Sequence, residues 1–193
     1  MRKSSDFESP ILNVIQQRRS RRAYSDRPVE QDKIYSLFEA ARWAPSSVNE
    51  QPWIYIYATK DQHELWNKIF DPLLDGNKVW VRKAPLLIMS LVRKNFMRND
   101  RPNISARYDL GGANAFLSLQ AAHLELNVHQ MAGFDPTKAK LNLNIPDHFE
   151  PVVIMAIGYL GDAEALPENL KLRELAPRER YVQQEFVMNR PFS

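Results

Sequence analysis

Two stretches of the 193-residue chain carry side chains that could hold and orient a charged, planar ligand. The first is Arg18-Arg19-Ser20-Arg21-Arg22, four guanidinium groups and a hydroxyl at the end of an amphipathic run. The second is Ala44-Pro45-Ser46-Ser47-Val48-Asn49-Glu50-Gln51-Pro52-Trp53, a polar loop leading into an aromatic-rich strand. A phosphate monoester carries about −1.5 to −2 charges near neutral pH, and planar guanidinium forks match its oxygens. Each charge-assisted hydrogen bond contributes on the order of 1.5–3 kcal/mol, so three or four account for tight binding. Arg178 and Arg180 add two more guanidinium groups, and their alternate spacing in an extended chain points both the same way. A solvated face or scattered ion pairs would also use such arginines, and the cluster alone does not decide between these roles.

Absences narrow the chemistry. The chain has no cysteine, which excludes disulfides, thiolate nucleophiles and Cys-ligated metals. Its six glycines form neither a G-x-G-x-x-G nor a P-loop pattern. His63, His123, His129 and His148 have no metal-ligand spacing and read as structural or solvated, so no metal site is expected. Ser46 and Ser47 lack the G-x-S-x-G elbow of hydrolases. No side-chain acid, base or nucleophile stands out as catalytic. Net charge is +3, from 26 basic and 23 acidic residues, and no basic or aromatic stripe extends the arginine patch. Nucleic-acid binding is therefore not expected.

The elements that must position these residues follow from pattern. Ser9-Pro10 reads as a helix N-cap and first-turn proline, with Ile11, Val14 and Ile15 on one face and an end near Arg18. A second helix opens at Glu30 and buries Ile34, Leu37, Phe38 and Ala41, and Pro45 closes it. Residues 53–57 are a strand, 61–70 and 77–82 short helices, and 86–92 a continuous apolar strand covered on both faces. The polar segment 93–103 is long enough to act as a lid or mobile connection. Residues 105–126 form the longest helix, in which Gly111-Gly112 costs roughly 1 kcal/mol per glycine against alanine. Close packing on a neighbouring helix or across a subunit boundary would explain the pair. A strand at 128–132, a helix opening at Asp135-Pro136 and a strand at 152–158 complete the order.

With 44% hydrophobic and 25% charged residues, this is the composition of one soluble globular domain. It divides into a domain at 1–165 and an arm at 166–193. The arm carries Pro167, Pro177 and Pro191, shows no sustained periodicity, and would reach roughly 90 Å if extended. Phe186, Val187 and Phe192 give it something to dock, which favours wrapping a neighbour. No apolar run approaches the roughly 18 residues of a membrane span, and the basic opening Met1-Arg2-Lys3 has no apolar region after it. A cytoplasmic protein without membrane contact is expected.

The segment Arg18–Tyr24 resembles the opening motif of the nitroreductase family of FMN-dependent oxidoreductases, and Ala44–Trp53 its second motif. Ala132-Gly133-Phe134 and Arg178-Glu179-Arg180 are similar to two further family elements, and the four occur in family order across the whole chain. The resemblance implies an α+β, three-layer fold, a central mixed sheet flanked by helices, with the C-terminal arms exchanged in a homodimer. It implies FMN, with Arg18, Arg19, Ser20, Arg22, Arg178 and Arg180 on its phosphate. Pro45, Ser46, Ser47, Asn49 and Gln51 would line the isoalloxazine, some from the partner subunit, with the backbone of Ala132 and Gly133 near N5 and Asn77 as a polar contact. Asn127, Ala132 and Trp80 depart from residues common in the family, which bears on substrate preference and redox potential.

The implied activity is a two-step exchange in which NADH or NADPH delivers hydride to the flavin and leaves before an aromatic acceptor, a nitro compound or quinone, takes its place. Flavin reductase or dehalogenase-like chemistry on the same scaffold, or flavin binding without catalysis, stays open at the level of sequence.

Overall fold

The apolar run Leu86–Val92 settles the architecture, because a strand with every side chain buried must be covered on both faces. The computed structural model describes residues 1–192. Four strands, β2 (Trp53–Thr59), β3 (Leu86–Arg93), β4 (Asn127–Met131) and β5 (Phe149–Gly158), pair in the order β2-β3-β5-β4. Every pairing is antiparallel, so within the described residues the sheet contains no parallel strand. Side chains of β3 alternate between two cores. Leu86, Ile88 and Val92 meet α2 (Gln31–Arg42) and α5 (Ala106–His123) through Ile34, Leu37, Leu110 and Leu117. Leu87, Met89 and Leu91 meet α3 (His63–Phe70), α4 (Asp75–Val81) and α6 (Pro136–Leu143) through Trp66, Ile69, Trp80 and Ala139. Helices on both faces of a sheet make the three-layer α+β fold.

The remaining elements are α1 (Asn13–Gln17), α7 (Glu168–Leu175) and a two-stranded ribbon of β1 (Lys3–Ser4) and β6 (Arg180–Tyr181). No helix among the described residues is long and apolar enough to cross a membrane.

Three elements differ from the sequence expectation. First, α1 begins at Asn13 with Leu12 as its cap, leaving Ser9-Pro10 outside, and no side chain caps it. Second, α5 stops at His123, and a Cβ on Gly111 or Gly112 would meet nothing within 4 Å, so no neighbour in this chain crowds the glycine pair. Third, the arm is not continuously extended. Pro167 directly precedes α7 and Pro177 follows its end, places where proline punctuates a helix without breaking it. Leu170 and Glu174 are buried, and tertiary packing stabilises a helix that periodicity alone does not reveal. Beyond α7 the arm meets the N-terminal residues: Val182 N–H donates to Arg2 O at 3.1 Å and Gln183 N–H to Glu8 Oε2 at 2.6 Å. Ser193, the last residue of the expected arm, lies outside the described residues.

The chain after the arginine motif is pinned beside the end of β5. Ser25 N–H donates to Tyr159 O at 3.1 Å and Gly161 N–H to Ala23 O at 3.0 Å. A Cβ built on Gly161 would lie 2.3 Å from the Tyr24 carbonyl carbon and 2.4 Å from its oxygen, both backbone atoms that cannot turn aside. Gly161→Ala is accordingly expected to destabilise the fold by about 2–3 kcal/mol. Urea unfolding would register it as a lower midpoint at unchanged slope.

Candidate phosphate and cofactor site

The two ends of the chain meet at the C-terminus of α1. Arg178 donates from Nη2 to Gln16 O at 2.8 Å and from Nη1 to Arg18 O, satisfying carbonyls that the last turn of α1 leaves open. Arg19 Nη2 donates to Ala176 O at 2.6 Å, and Arg21 Nη1 to Glu174 O at 3.2 Å. Arg22 N–H donates to Glu174 Oε2 at 2.9 Å. On the other side of the motif, Arg18 Nη1 donates to Ser20 Oγ at 3.4 Å.

Arg18, Arg178 and Arg180 line one cleft of about 370 Å³, with Ser4, Ser9 and Phe7 among its walls. Burial, and then the Arg180 charge, hold the Arg18 guanidinium below its ordinary pKa. Burial holds Arg178 down too, followed by repulsion from Arg18, Arg180 and Arg19. No carboxylate counters these effects at Arg18 or Arg178. Asp6 and Glu8 also stand on the walls of the cleft, but neither forms an ion pair with these arginines among the described residues, and a partly desolvated cationic cluster of this kind is a fit for a phosphate dianion. Arg22 sits apart from it. Burial lowers its pKa first, then Arg173, while Glu174 and Tyr24 pull the other way.

Beneath the motif lies an aromatic floor. Tyr24 stacks on Trp80 at 6.2 Å between ring centroids, and Trp80 meets His129 at 4.6 Å. His129 donates from Nδ1 to Arg21 O at 3.0 Å, and Tyr24 Oη donates to Ala156 O at 2.8 Å. Burial, with Arg22 and Arg173 nearby, drives the His129 pKa down to about 4, so the ring is neutral at pH 7. Trp80, marked as a departure by resemblance, is 2% exposed and belongs to this floor.

The same helix that carries Trp80 carries Asn77. Asn77 Nδ2 and Leu74 N–H both donate to Gly133 O at 3.0 Å, fixing the end of β4. A Cβ on Gly133 would come within 2.8 Å of Asn77 Nδ2, so a larger residue there would displace the Asn77 amide from its carbonyl. Asn77, Ala132 and Gly133 are thus tied through α4 and β4 to the floor of the arginine motif.

Pro45, Ser46, Ser47, Asn49 and Gln51 form a separate surface. Val48, Asn49 and Gln51 adopt φ of 49°, 57° and 51°. For β-branched Val48 such a conformation costs on the order of 1–3 kcal/mol and persists only where surrounding contacts dictate it. Ser47 N–H donates to Oδ2 of Asp109 at 3.1 Å, and Asp109 is 4% exposed in the first turn of α5. Ser46 Oγ accepts from Gln51 N–H at 3.0 Å, and Met97 N–H donates to Glu50 Oε1 at 2.6 Å. The last bond sets segment 93–103 beside the loop. These contacts run to α5 and Met97, not to the arginines or to Gly133. The structure gathers Arg18, Arg178 and Arg180 at one cleft, with Ser20 bonded to Arg18 and Arg19 to the arm, sets Arg22 beside Glu174, and ties Asn77, Ala132 and Gly133 to the aromatic floor, while the 45–51 loop makes no hydrogen bond to any of them among the described residues.

Asp109, Glu174 and the Tyr24–Trp80–His129 floor were not singled out for the site by sequence. Each acts across a long separation, and only Asp109, an acid on the buried stripe of a long helix, carries a local anomaly.

A model of the Nitroreductase family matches residues 15–79. A crystal structure of an oxidoreductase containing FMN is 30% identical, with a TM-score of 0.91, covering 97% of this chain and 96% of that one. A Rhodopseudomonas palustris chain whose name pairs NADH dehydrogenase with NAD(P)H nitroreductase is 25% identical over 189 residues, 88% of this chain and 95% of its own. A nitroreductase family protein of Clostridium difficile 630, 24% identical with a TM-score of 0.74 over 95% of this chain and 100% of that one, shares the fold.

The buried imidazole sets a pH dependence. The folded pKa of His129 is about 4 against an ordinary 6.5, so the unfolded chain binds the extra proton between those values. The stability contributed by the neutral ring is full above about pH 6.5 and is lost as pH falls towards 4, up to about 3 kcal/mol. His129→Gln, which retains a donor for Arg21 O, is expected to flatten this slope in urea midpoints measured from pH 7 to pH 4.

Proposed function

The chain belongs to the nitroreductase family, and from that membership we propose that it is an FMN-dependent oxidoreductase passing reducing equivalents from NADH or NADPH to a small nitroaromatic or quinone acceptor. One observation carries the phosphate end: the guanidinium groups of Arg18, Arg178 and Arg180 converge on one cleft, where burial and their mutual repulsion hold Arg18 and Arg178 below their ordinary pKa. FMN supplies the hydride chemistry when bound. The chain's own residues bind, orient and exclude water.

Arg18, Arg19, Ser20, Arg22, Arg178 and Arg180 would hold the phosphate, with unequal parts. Both Arg178 nitrogens already serve Gln16 O and Arg18 O, so this residue contributes charge and rigidity more than free donors. Arg18 and Arg180 retain more of their forks. Asn77, Ala132 and Gly133 would meet one edge of the ring system. Pro45, Ser46, Ser47, Asn49 and Gln51 would close it from a second copy of the chain, since in their own subunit the loop is bonded to α5 and Met97 and not to the arginines. The fixed positive-φ turn gives that wall a single shape, which suits exchange of two flat reactants at one place.

A homodimer is supported by the outer face of α5 and the turn before it, where Ile104 is 95%, Tyr108 85% and Phe116 42% exposed around Gly111 and Gly112. Apolar side chains beside two residues without side chains allow close approach of another helix. The exchanged C-terminal arm belongs to the same proposal, with the division into a 1–165 domain and a 166–193 arm.

The purified chain is expected to release FMN on denaturation and to oxidise NADH or NADPH continuously with a nitroaromatic or quinone present. Absence of flavin uptake, or flavin bleaching without turnover, would overturn the reductase reading. Arg18→Ala combined with Arg180→Ala should raise the FMN dissociation constant about 100-fold, roughly tenfold for each lost charge-assisted contact. Fluorescence titration of the apoprotein reads it. Tyr108→Asp should leave the subunit fold intact by circular dichroism, halve the mass in light scattering and lower flavin retention.

A further inference from the structure

We propose that Glu174 is the positioning residue of the phosphate site, bracing the arginine motif so that alternate side chains are divided between the arm and the ligand; the inference rests on the FMN reading above. Arg19 and Arg21 both donate to carbonyls of the arm, Ala176 O and Glu174 O. Arg18 and Ser20 instead hydrogen-bond to one another. Counted alternately along the segment, Arg22 falls with Arg18 and Ser20 and not with the two arginines that hold the arm. Arg19 and Arg21 are then struts, and Arg18, Ser20 and Arg22 are the set presented to the phosphate.

Glu174 holds this division in place. It is 4% exposed on α7, and its Oε2 accepts the Arg22 backbone N–H at 2.9 Å. Its Oε1 lies 3.7 Å from Arg21 Nη1 and has no hydrogen-bond partner among the described residues. A buried carboxylate satisfied on one oxygen is a costly way to pack a helix, and an apolar side chain would pack more cheaply. What an apolar residue could not do is fix a backbone N–H and attract a guanidinium at adjacent positions. Glu174 also favours the charged form of Arg22 against burial and, after it, the repulsion of Arg173. It therefore preserves the cation needed by the ligand while remaining on the far side of the backbone.

The test compares FMN with riboflavin, which has the same ring and ribityl chain without the phosphate. Glu174→Ala is expected to weaken FMN about tenfold and to leave riboflavin affinity unchanged, with the thermal midpoint recorded for each variant. Glu174→Gln keeps an oxygen acceptor for Arg22 N–H and should return FMN affinity to within about threefold of the wild type. If Glu174→Ala does not fold, Glu174→Asp, whose carboxylate falls one methylene short of Arg22 N–H, carries the same comparison. Equal losses for both flavins, or no loss for FMN, would overturn the inference while wild-type FMN binding upholds the functional reading. A wild-type chain that binds neither flavin removes both.

Discussion

Mutual repulsion among guanidinium groups is the constraint around which this molecule is arranged. Arg18 and Arg19 stand at one end of the sequence and Arg178 and Arg180 at the other, yet burial and then the neighbouring guanidinium charges hold Arg18 and Arg178 below their ordinary pKa. Left alone, such a cluster would push the arm off the domain. Carbonyl acceptors oppose this: Gln16 O and Arg18 O hold Arg178, and Ala176 O holds Arg19. Neutral oxygens orient the guanidinium forks without cancelling their charge, which leaves positive potential at the cleft. A carboxylate in their place would make a tighter arm and a poorer phosphate site. The carboxylate that does enter, Glu174, works from behind the motif.

The rest of the fold keeps that arrangement rigid. The sheet is covered on both faces, and Tyr24 and Trp80 in the lower core place a stiff aromatic layer under Arg21 and Arg22. His129 joins this layer as a neutral ring, because burial, and then the charge of Arg22, disfavours its protonation. Gly161 lets the chain past Tyr24 come into backbone contact with the end of β5. On the other face, buried Asp109 holds the Ser47 amide and so imposes the left-handed turn at Val48. Both halves of the proposed site are fixed by buried polar groups rather than by surface loops alone.

How much of this is legible in the sequence depends on the range of the interaction. The apolar run at 86–92, the proline stop at Pro45 and the Asp135-Pro136 helix start are local signals, and each corresponds to an observed element. Asp135 accepts from Thr137 and Lys138 N–H at 2.9 and 3.0 Å, as a capping aspartate should. The arginine groups are legible by residue type, and the family resemblance is carried by short motifs of the same kind. What the residues do not display is division of labour. Arg18 and Arg19 are chemically equivalent in sequence, and only the arm carbonyls separate them. The helix at Glu168–Leu175 escapes notice because a short segment between Pro167 and Pro177 looks like a linker until Leu170 and Glu174 find burial. The pairing of Lys3–Ser4 with Arg180–Tyr181 is invisible for the same reason, since neither dipeptide has any preference that its distant partner does not supply.

That short ribbon has a consequence for how the molecule comes apart. A ladder of two residues per strand is too brief to persist by itself, and it closes a circuit comprising nearly the entire polypeptide, for which the entropic penalty is appreciable. The sheet, by contrast, is buried on both faces. Fraying should therefore begin where the termini meet, with amide exchange at Tyr181 and Val182 far faster than at Met89 or Ile154. Each such opening would carry Arg180 away from Arg18 without disturbing the core, so loss of cofactor and loss of fold are separate events, governed by different barriers.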